Sequence, residues 1–186
     1  MASILNLKET AINDNIPIMQ DDSLNYISNF IKANDINTVL ELGSGIGYSA
    51  IFLALNNDIT ITTLEKDKAR YSKAIENIKD FKLDHKINII NADALTLDIN
   101  NYYDLLIIDA AKTKNKELFI KYKPFIKKAI ITDNINLNNV INKPLNKKKS
   151  ILIKRTNEYK KFLKNYNTTY IEIGDTLALT SLDLMK

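Results

Sequence analysis

Three glycines at alternate positions, Gly43-Ser-Gly45-Ile-Gly47, follow a short apolar run (Val39, Leu40, Leu42) and precede an apolar stretch from Tyr48 to Leu55. A strand-to-helix turn stripped of Cβ atoms lets backbone N–H groups approach a ligand closely. The spacing is G-x-G-x-G, not the G-x-G-x-x-G of dinucleotide-binding turns, and an acid, Glu41, stands inside the strand end. A second acid, Glu65, closes the next apolar run, Ile59 to Leu64, about 20 residues on. An acid so placed can accept hydrogen bonds from the hydroxyls of a ribose. Three more runs end in polar residues: Ile87 to Ile90 leads into Asn91-Ala-Asp93-Ala94, Tyr103 to Ile108 into Asp109, and Ala129 to Thr132 into Asp133-Asn134.

Holding such groups together requires alternating strands and helices. The pattern predicts a short helix from Ser3 to Ile12, an extended Pro17-Ile-Met19, and a helix capped by Asp21 and Asp22. Leu24, Ile27 and Ile31 line one face of that helix, which ends near Asn34. The five apolar runs then read as strands. Between them lie helices at Tyr48 to Leu55, Asp67 to Lys82 (Ala74 and Ile78 on one face) and Phe119 to Ile126, the last broken by Pro124. The pattern lapses from Asn134 through Leu145 and a Lys147-Lys-Lys149 run, and helical character resumes from Ser150 to about Asn165. Thr169 to Ile173, Gly174-Asp-Thr and Leu177 to Leu182 read as a closing β-hairpin. Alternation of this kind implies a parallel sheet covered on both faces, with its chemistry at the carboxyl ends of the strands. Gly43, Glu65, Asp93, Asp109 and Asp133 all fall there.

At 186 residues, 45% hydrophobic and 26% charged, the chain suits one domain with a full core. The expected organisation is a single domain over 1–186, with a helical segment over 1–34 and a ligand-binding core over 35–186. No apolar run approaches the ~20 residues of a membrane span, and no signal peptide is evident, so a cytoplasmic address without membrane attachment is expected. The absence of Cys excludes disulfides, thiolate metal sites and a Cys nucleophile. The net charge of +4 is compatible with a polyanionic partner without requiring one.

Taken together, Pro17-Ile-Met19, Glu41-Leu-Gly-Ser-Gly-Ile-Gly-Tyr-Ser49, Leu64-Glu65, Asn91-Ala-Asp93-Ala94, Ile108-Asp-Ala-Ala-Lys112, Thr132-Asp-Asn134 and Ile173-Gly-Asp175 resemble the class I S-adenosylmethionine-dependent methyltransferases. More narrowly, they resemble the small metal-dependent O-methyltransferases of catechol and caffeoyl-CoA type. The nearest resemblance is to bacterial members that methylate 5-hydroxyuridine at the tRNA wobble position. It implies a Rossmann-like, seven-stranded, mostly parallel sheet with a C-terminal antiparallel hairpin and helices on both faces. Two departures stand out: the segment between Asn134 and Ser150 is shorter than in the family, and Lys127-Lys128 replaces the usual glycines before the fifth strand.

The resemblance assigns roles. Met19, Glu41, Gly43, Gly45, Gly47, Tyr48, Ser49, Glu65, Asp93, Ala94 and Asp109 would bind S-adenosylmethionine, with Glu65 on the ribose and Asp93 on the adenine amino group. Asp109, Asp133 and Asn134 would supply two carboxylates and an amide oxygen to Mg²⁺, with Mn²⁺ or Ca²⁺ as substitutes. Lys112 would be the general base, and Asp109 joins it in the catalytic set. Lys147, Lys148, Lys149, Lys154, Arg155, Lys160 and Lys161 would form a basic rim able to contact phosphates, or else a solvated helix face. The leading expectation is therefore O-methylation of 5-hydroxyuridine in tRNA, giving 5-methoxyuridine, by a possible homodimer. The alternative is a small catechol or phenol as acceptor. A nicotinamide-dependent oxidoreductase is disfavoured by the glycine spacing and by the lack of a Tyr-x-x-x-Lys dyad. A non-catalytic RNA-binding module is disfavoured by the joint presence of Asp109, Lys112, Asp133 and Asn134. His85 is expected to be a surface residue, and Tyr48 to Leu55 and the Tyr102-Tyr103 pair to serve core or turn packing.

Overall fold

A computed structural model describes residues 3–136 and 146–182. Two helices, α1 (Ile4–Asn13) and α2 (Asp21–Ala33), precede the first strand. The chain then alternates through β1 (Thr38–Leu42), α3 (Tyr48–Asn56), β2 (Thr60–Glu65), α4 (Lys68–Asp80), β3 (Ile87–Asn91) and β4 (Tyr103–Ile108). A 3₁₀ turn (Lys112–Lys114), α5 (Asn115–Tyr122), a second 3₁₀ turn (Lys123–Phe125) and β5 (Ile126–Thr132) follow. After the undescribed stretch come α6 (Lys147–Leu163), β6 (Asn167–Ile171) and β7 (Leu177–Ser181).

The sheet has seven strands in the order β3-β2-β1-β4-β5-β7-β6. Pairing is parallel from β3 to β5, and β7 runs antiparallel to both β5 and β6. The expected architecture is thus the observed one. Alternation along β1 explains the two layers: Val39 faces one core with α1, α2 and α3, whereas Leu40 and Leu42 face the other with α5 and α6. Every residue of β4 is buried, as a central parallel strand requires. Leu7 and Ala11 of α1 and Leu24, Ile27 and Ile31 of α2 belong to the first core, so the N-terminal helices pack on the sheet.

Local expectations are corrected in two places. Asp21 and Asp22 do not cap α2; Gln20 is the N-cap, and both acids lie in the first turn, where the helix dipole favours them. Asp21 is drawn away to accept from Lys8 Nζ (2.5 Å) and Tyr48 Oη (3.0 Å). The helix before β5 begins at Asn115, not Phe119, and Pro124 sits in a 3₁₀ turn that ends it, since proline cannot donate to a helix. Tyr102 is 62% exposed and rests against Phe125, while Tyr103 is buried.

The two lysines that stand where the family carries glycines have structural partners. Lys128 Nζ donates to the carbonyls of Asn34 and Asp35, both at 2.8 Å, just past the end of α2. Lys127 Nζ lies 3.8 Å from Asp104. The shortened segment between Asn134 and Ser150 falls largely on 137–145, outside the described residues.

Candidate active site

The carboxyl ends of β1, β2, β3 and β4 surround a cavity of about 560 Å³. The glycine turn forms its floor. Gly43 adopts φ +97°, and a Cβ there would stand 2.3 Å from the Asp109 backbone oxygen, so only glycine lets the β1 turn seat against the end of β4. Gly45 N donates to Glu65 Oε2 (2.9 Å) and Asp67 N donates to Glu65 Oε1 (2.8 Å). Both oxygens of the buried Glu65 are therefore aimed by backbone amides before any ligand arrives, and each keeps a further lone pair. Asp67 in turn caps α4 by accepting from Arg70 N (2.9 Å). Asp93 Oδ1 accepts from Leu95 N (2.9 Å) in an Asx turn, and Tyr122 Oη donates to the carbonyls of Ala94 and Leu97 from behind, which holds this loop against α5.

The opposite wall carries a different kind of group. Asp109 ends β4 and Asp133 ends β5, the neighbouring strand, with Asp133 N donating to the Ile108 carbonyl (3.1 Å). Burial, then the charges of Asp133 and Glu41, push the Asp109 carboxyl well above the usual range, while Lys112 pulls it back. Burial likewise raises Asp133 to about 6, against hydrogen bonds from Asn134 and the charge of Lys112. Asn134 takes a left-handed conformation (φ +61°) and donates from Nδ2 to Asp133 Oδ2 (2.9 Å). Lys112 opens the 3₁₀ turn at the cavity edge and acts on both acids.

Of the residues expected to contact the methyl donor, Met19, Gly43, Gly45, Tyr48, Ser49, Glu65, Asp93, Ala94 and Asp109 line the cavity, as do Lys112 and Asn134. Glu41, Gly47 and Asp133 lie behind the lining. Gly47 (φ +86°) is the N-cap of α3, packed against Ala74. Glu41 is fully buried and accepts from Ser49 Oγ and Thr63 Oγ1. Ser44, Lys66, Arg70, Leu95, Thr113 and Lys114 also line the cavity and were not singled out from the sequence. Their signal was adjacency: each lies within five residues of a strand-end position already chosen. His85 is exposed, as expected.

The donor set expected for a divalent cation is Asp109, Asp133 and Asn134. Among the described residues no group of three or more His, Cys, Asp or Glu side chains is set to hold a metal, so the set has two carboxylates and an amide, not three acids. The residues nonetheless fit a hard cation, because two oxygen acids whose burial disfavours their negative charge are relieved by a positive charge beside them.

A cavity at the carboxyl ends of a seven-stranded sheet in this order belongs to a Rossmann-like methyltransferase fold. The O-methyltransferase family profile matches residues 2–182, and the chain belongs to that family. It is 38% identical over 101 residues to tapetum-specific methyltransferase 1 of Arabidopsis thaliana, an alignment covering 50% of this chain and 43% of that one. It is 31% identical over 127 residues to a flavonoid 3',5'-methyltransferase of Vitis vinifera, covering 62% and 51%. The chain spans about half the length of the curated relatives it matches. Among solved structures, a Staphylococcus aureus protein named as a candidate caffeoyl-CoA O-methyltransferase superimposes with a TM-score of 0.88 at 29% identity, covering 97% of this chain and 92% of that one. No helix among the described residues is long and apolar enough to cross a membrane.

Proposed function

We propose that this chain transfers the methyl group of S-adenosylmethionine to a hydroxyl of a small phenolic acceptor bearing two adjacent oxygens. The observation that carries the reading is one cavity walled on one side by pinned Glu65 and Asp93 and on the other by Asp109, Lys112 and Asn134. The family match and the small phenolics named in the relatives above favour this acceptor over the hydroxyuridine of tRNA expected first.

In this reading Glu65 accepts the two ribose hydroxyls, the glycine turn gives the donor close backbone approach, and Tyr48 and Ser49 close the end beside Met19. Asp109, Asp133 and Asn134 would hold Mg²⁺ or a similar cation, which would supply the Lewis acidity that makes a phenolic hydroxyl easier to ionise. Lys112 Nζ takes the hydroxyl proton, and the wall from Ala110 to Thr113 orients the acceptor oxygen. Orientation contributes much of the rate in such a transfer, because the reactants approach in one line.

The test is methyl transfer from labelled S-adenosylmethionine, with Mg²⁺ or with chelator, to a catechol and to hydroxyuridine-containing tRNA. Chelator-sensitive labelling of the catechol is the expected result. Labelling of tRNA alone would overturn the acceptor, and transfer unaffected by chelator would overturn the cation.

A further inference from the structure

We infer that Thr176, in the turn that joins β6 to β7, is a positioning residue: its left-handed backbone aims two successive carbonyls at the chain beyond β5 and so fixes Asn134 at the cavity. The inference rests on the reading that Asn134 faces a divalent cation there.

Thr176 is anomalous for its residue type. It adopts φ +65°. A glycine takes that conformation freely, whereas a β-branched side chain in it is a true outlier, and strain of this kind persists where the surrounding structure requires it. A second left-handed residue stands across the ladder. Thr132 of β5 opposes Ala178 of β7, so the same antiparallel register carried two residues further sets Asn134 (φ +61°) opposite Thr176. The ladder does not continue in that register. Ile135 N donates to the Thr176 carbonyl and Asn136 N to the Asp175 carbonyl, both at 3.0 Å, which is one residue out of step.

The left-handed turn makes this pairing possible. Along an extended strand successive carbonyls point in opposite directions, so Asp175 and Thr176 could not both face one neighbour. With Thr176 left-handed, both do. The turn is closed by Thr176 N donating to the Ile173 carbonyl (2.9 Å). It is also seated on the start of α2, where a Cβ at Gly174 would stand 2.9 Å from Ser23 Oγ and 3.0 Å from Gln20 Oε1. Asn134 is therefore held on both sides: Asp133 N donates to the Ile108 carbonyl (3.1 Å) before it, and the two clamped amides follow it. Its Nδ2 donates to Asp133 Oδ2 (2.9 Å), which leaves Oδ1, an acceptor only, for the cavity that Asn134 lines.

Mn²⁺ binding followed by electron paramagnetic resonance, with calorimetry of S-adenosylhomocysteine alongside, tests this. Thr176→Pro, whose ring holds φ at about −65°, should bind Mn²⁺ about tenfold more weakly, with S-adenosylhomocysteine changed less than about threefold. Thr176→Gly, which keeps the left-handed turn without the strain, should bind Mn²⁺ as the parent does and melt about 2–4 °C higher. In an Asn134→Ala background, Thr176→Pro should weaken Mn²⁺ no further, because Thr176 acts through Asn134. Amide hydrogen exchange should find Ile135 and Asn136 protected in the parent and open in Thr176→Pro. Unchanged Mn²⁺ affinity in Thr176→Pro, parallel loss of both ligands, weakened Mn²⁺ in Thr176→Gly, or unprotected Ile135 and Asn136 amides in the parent would overturn the inference. Should Thr176→Pro fail to fold, Thr176→Gly and the parent's exchange pattern decide. If the parent binds no Mn²⁺, the cation reading itself falls, a distinct result, and the exchange pattern still decides the clamp.

Discussion

The two walls of the cavity are built on opposite principles. On the β2–β3 side each acid is held by backbone amides: Glu65 by Gly45 and Asp67, Asp93 by Leu95. On the β4–β5 side, burial pushes up both Asp109, which lines the cavity, and Asp133, which lies behind it, and the charge of Asp133 raises Asp109 further. The first wall presents carboxylate oxygens already aimed by backbone amides, suited to hydroxyl and amine donors. The second presents acids raised by burial, which a positive charge such as that of Lys112 relieves. In the proposed function one wall binds and the other reacts, so each should be open to separate damage.

The sharpest way to break that division is Asp133→Ala. Turnover should fall about a thousandfold, since cation and acceptor lose their common support, while S-adenosylhomocysteine affinity stays within about threefold. Loss of both in calorimetry and steady-state assays would mean that the walls are not separable. Lys112→Ala should lower kcat about a hundredfold with donor affinity unchanged, measured by single-turnover methyl transfer. A comparable loss of donor binding would move Lys112 to the other wall. Conversely, Glu65→Gln should weaken S-adenosylhomocysteine about tenfold, because an amide accepts through one oxygen where the carboxylate had two, with kcat at saturating donor little changed.

The smallest effect lies at the far end of the sheet and serves as a control on both walls. Asp104 loses proton affinity despite burial, because the amides of Asn37 and Thr38 and the Thr38 hydroxyl donate to it and Lys127 stands near. Its contribution is therefore fully present above the ordinary carboxylate range and disappears as the pH falls through its lowered value. Asp104→Asn should cost about 1–2 kcal/mol in urea unfolding at neutral pH, with a smaller difference in acid and no change in ligand affinity.

Much of this was legible in one dimension because strand ends announce themselves. An apolar run buried on both sides must stop where polar groups begin, so Glu65, Asp93, Asp109 and Asp133-Asn134 stood out without a structure. Helix starts were harder. Asp21 and Asp22 have the composition of caps, yet Asp21 is claimed by Lys8 and Tyr48, partners 13 and 27 residues away. The helix before β5 was placed too late because Asn115 to Leu118 is polar at its start, and only packing on β4 and β5 shows which face is inside.

By itself, then, the sequence determined the sheet, the order of its chemistry along the strand ends and the family, since hydrophobic periodicity and glycine spacing are local properties of the chain. Only the tertiary structure decided which acids touch the cavity. Glu41 and Glu65 are alike on paper and fall on the same face of the sheet, but Glu65 stands two positions nearer the carboxyl ends of the strands, so Glu41 lies beneath Ser49 while Glu65 reaches the cavity wall. Which partner a carboxylate meets is a question of distance in space, and that distance is set when the strands pair.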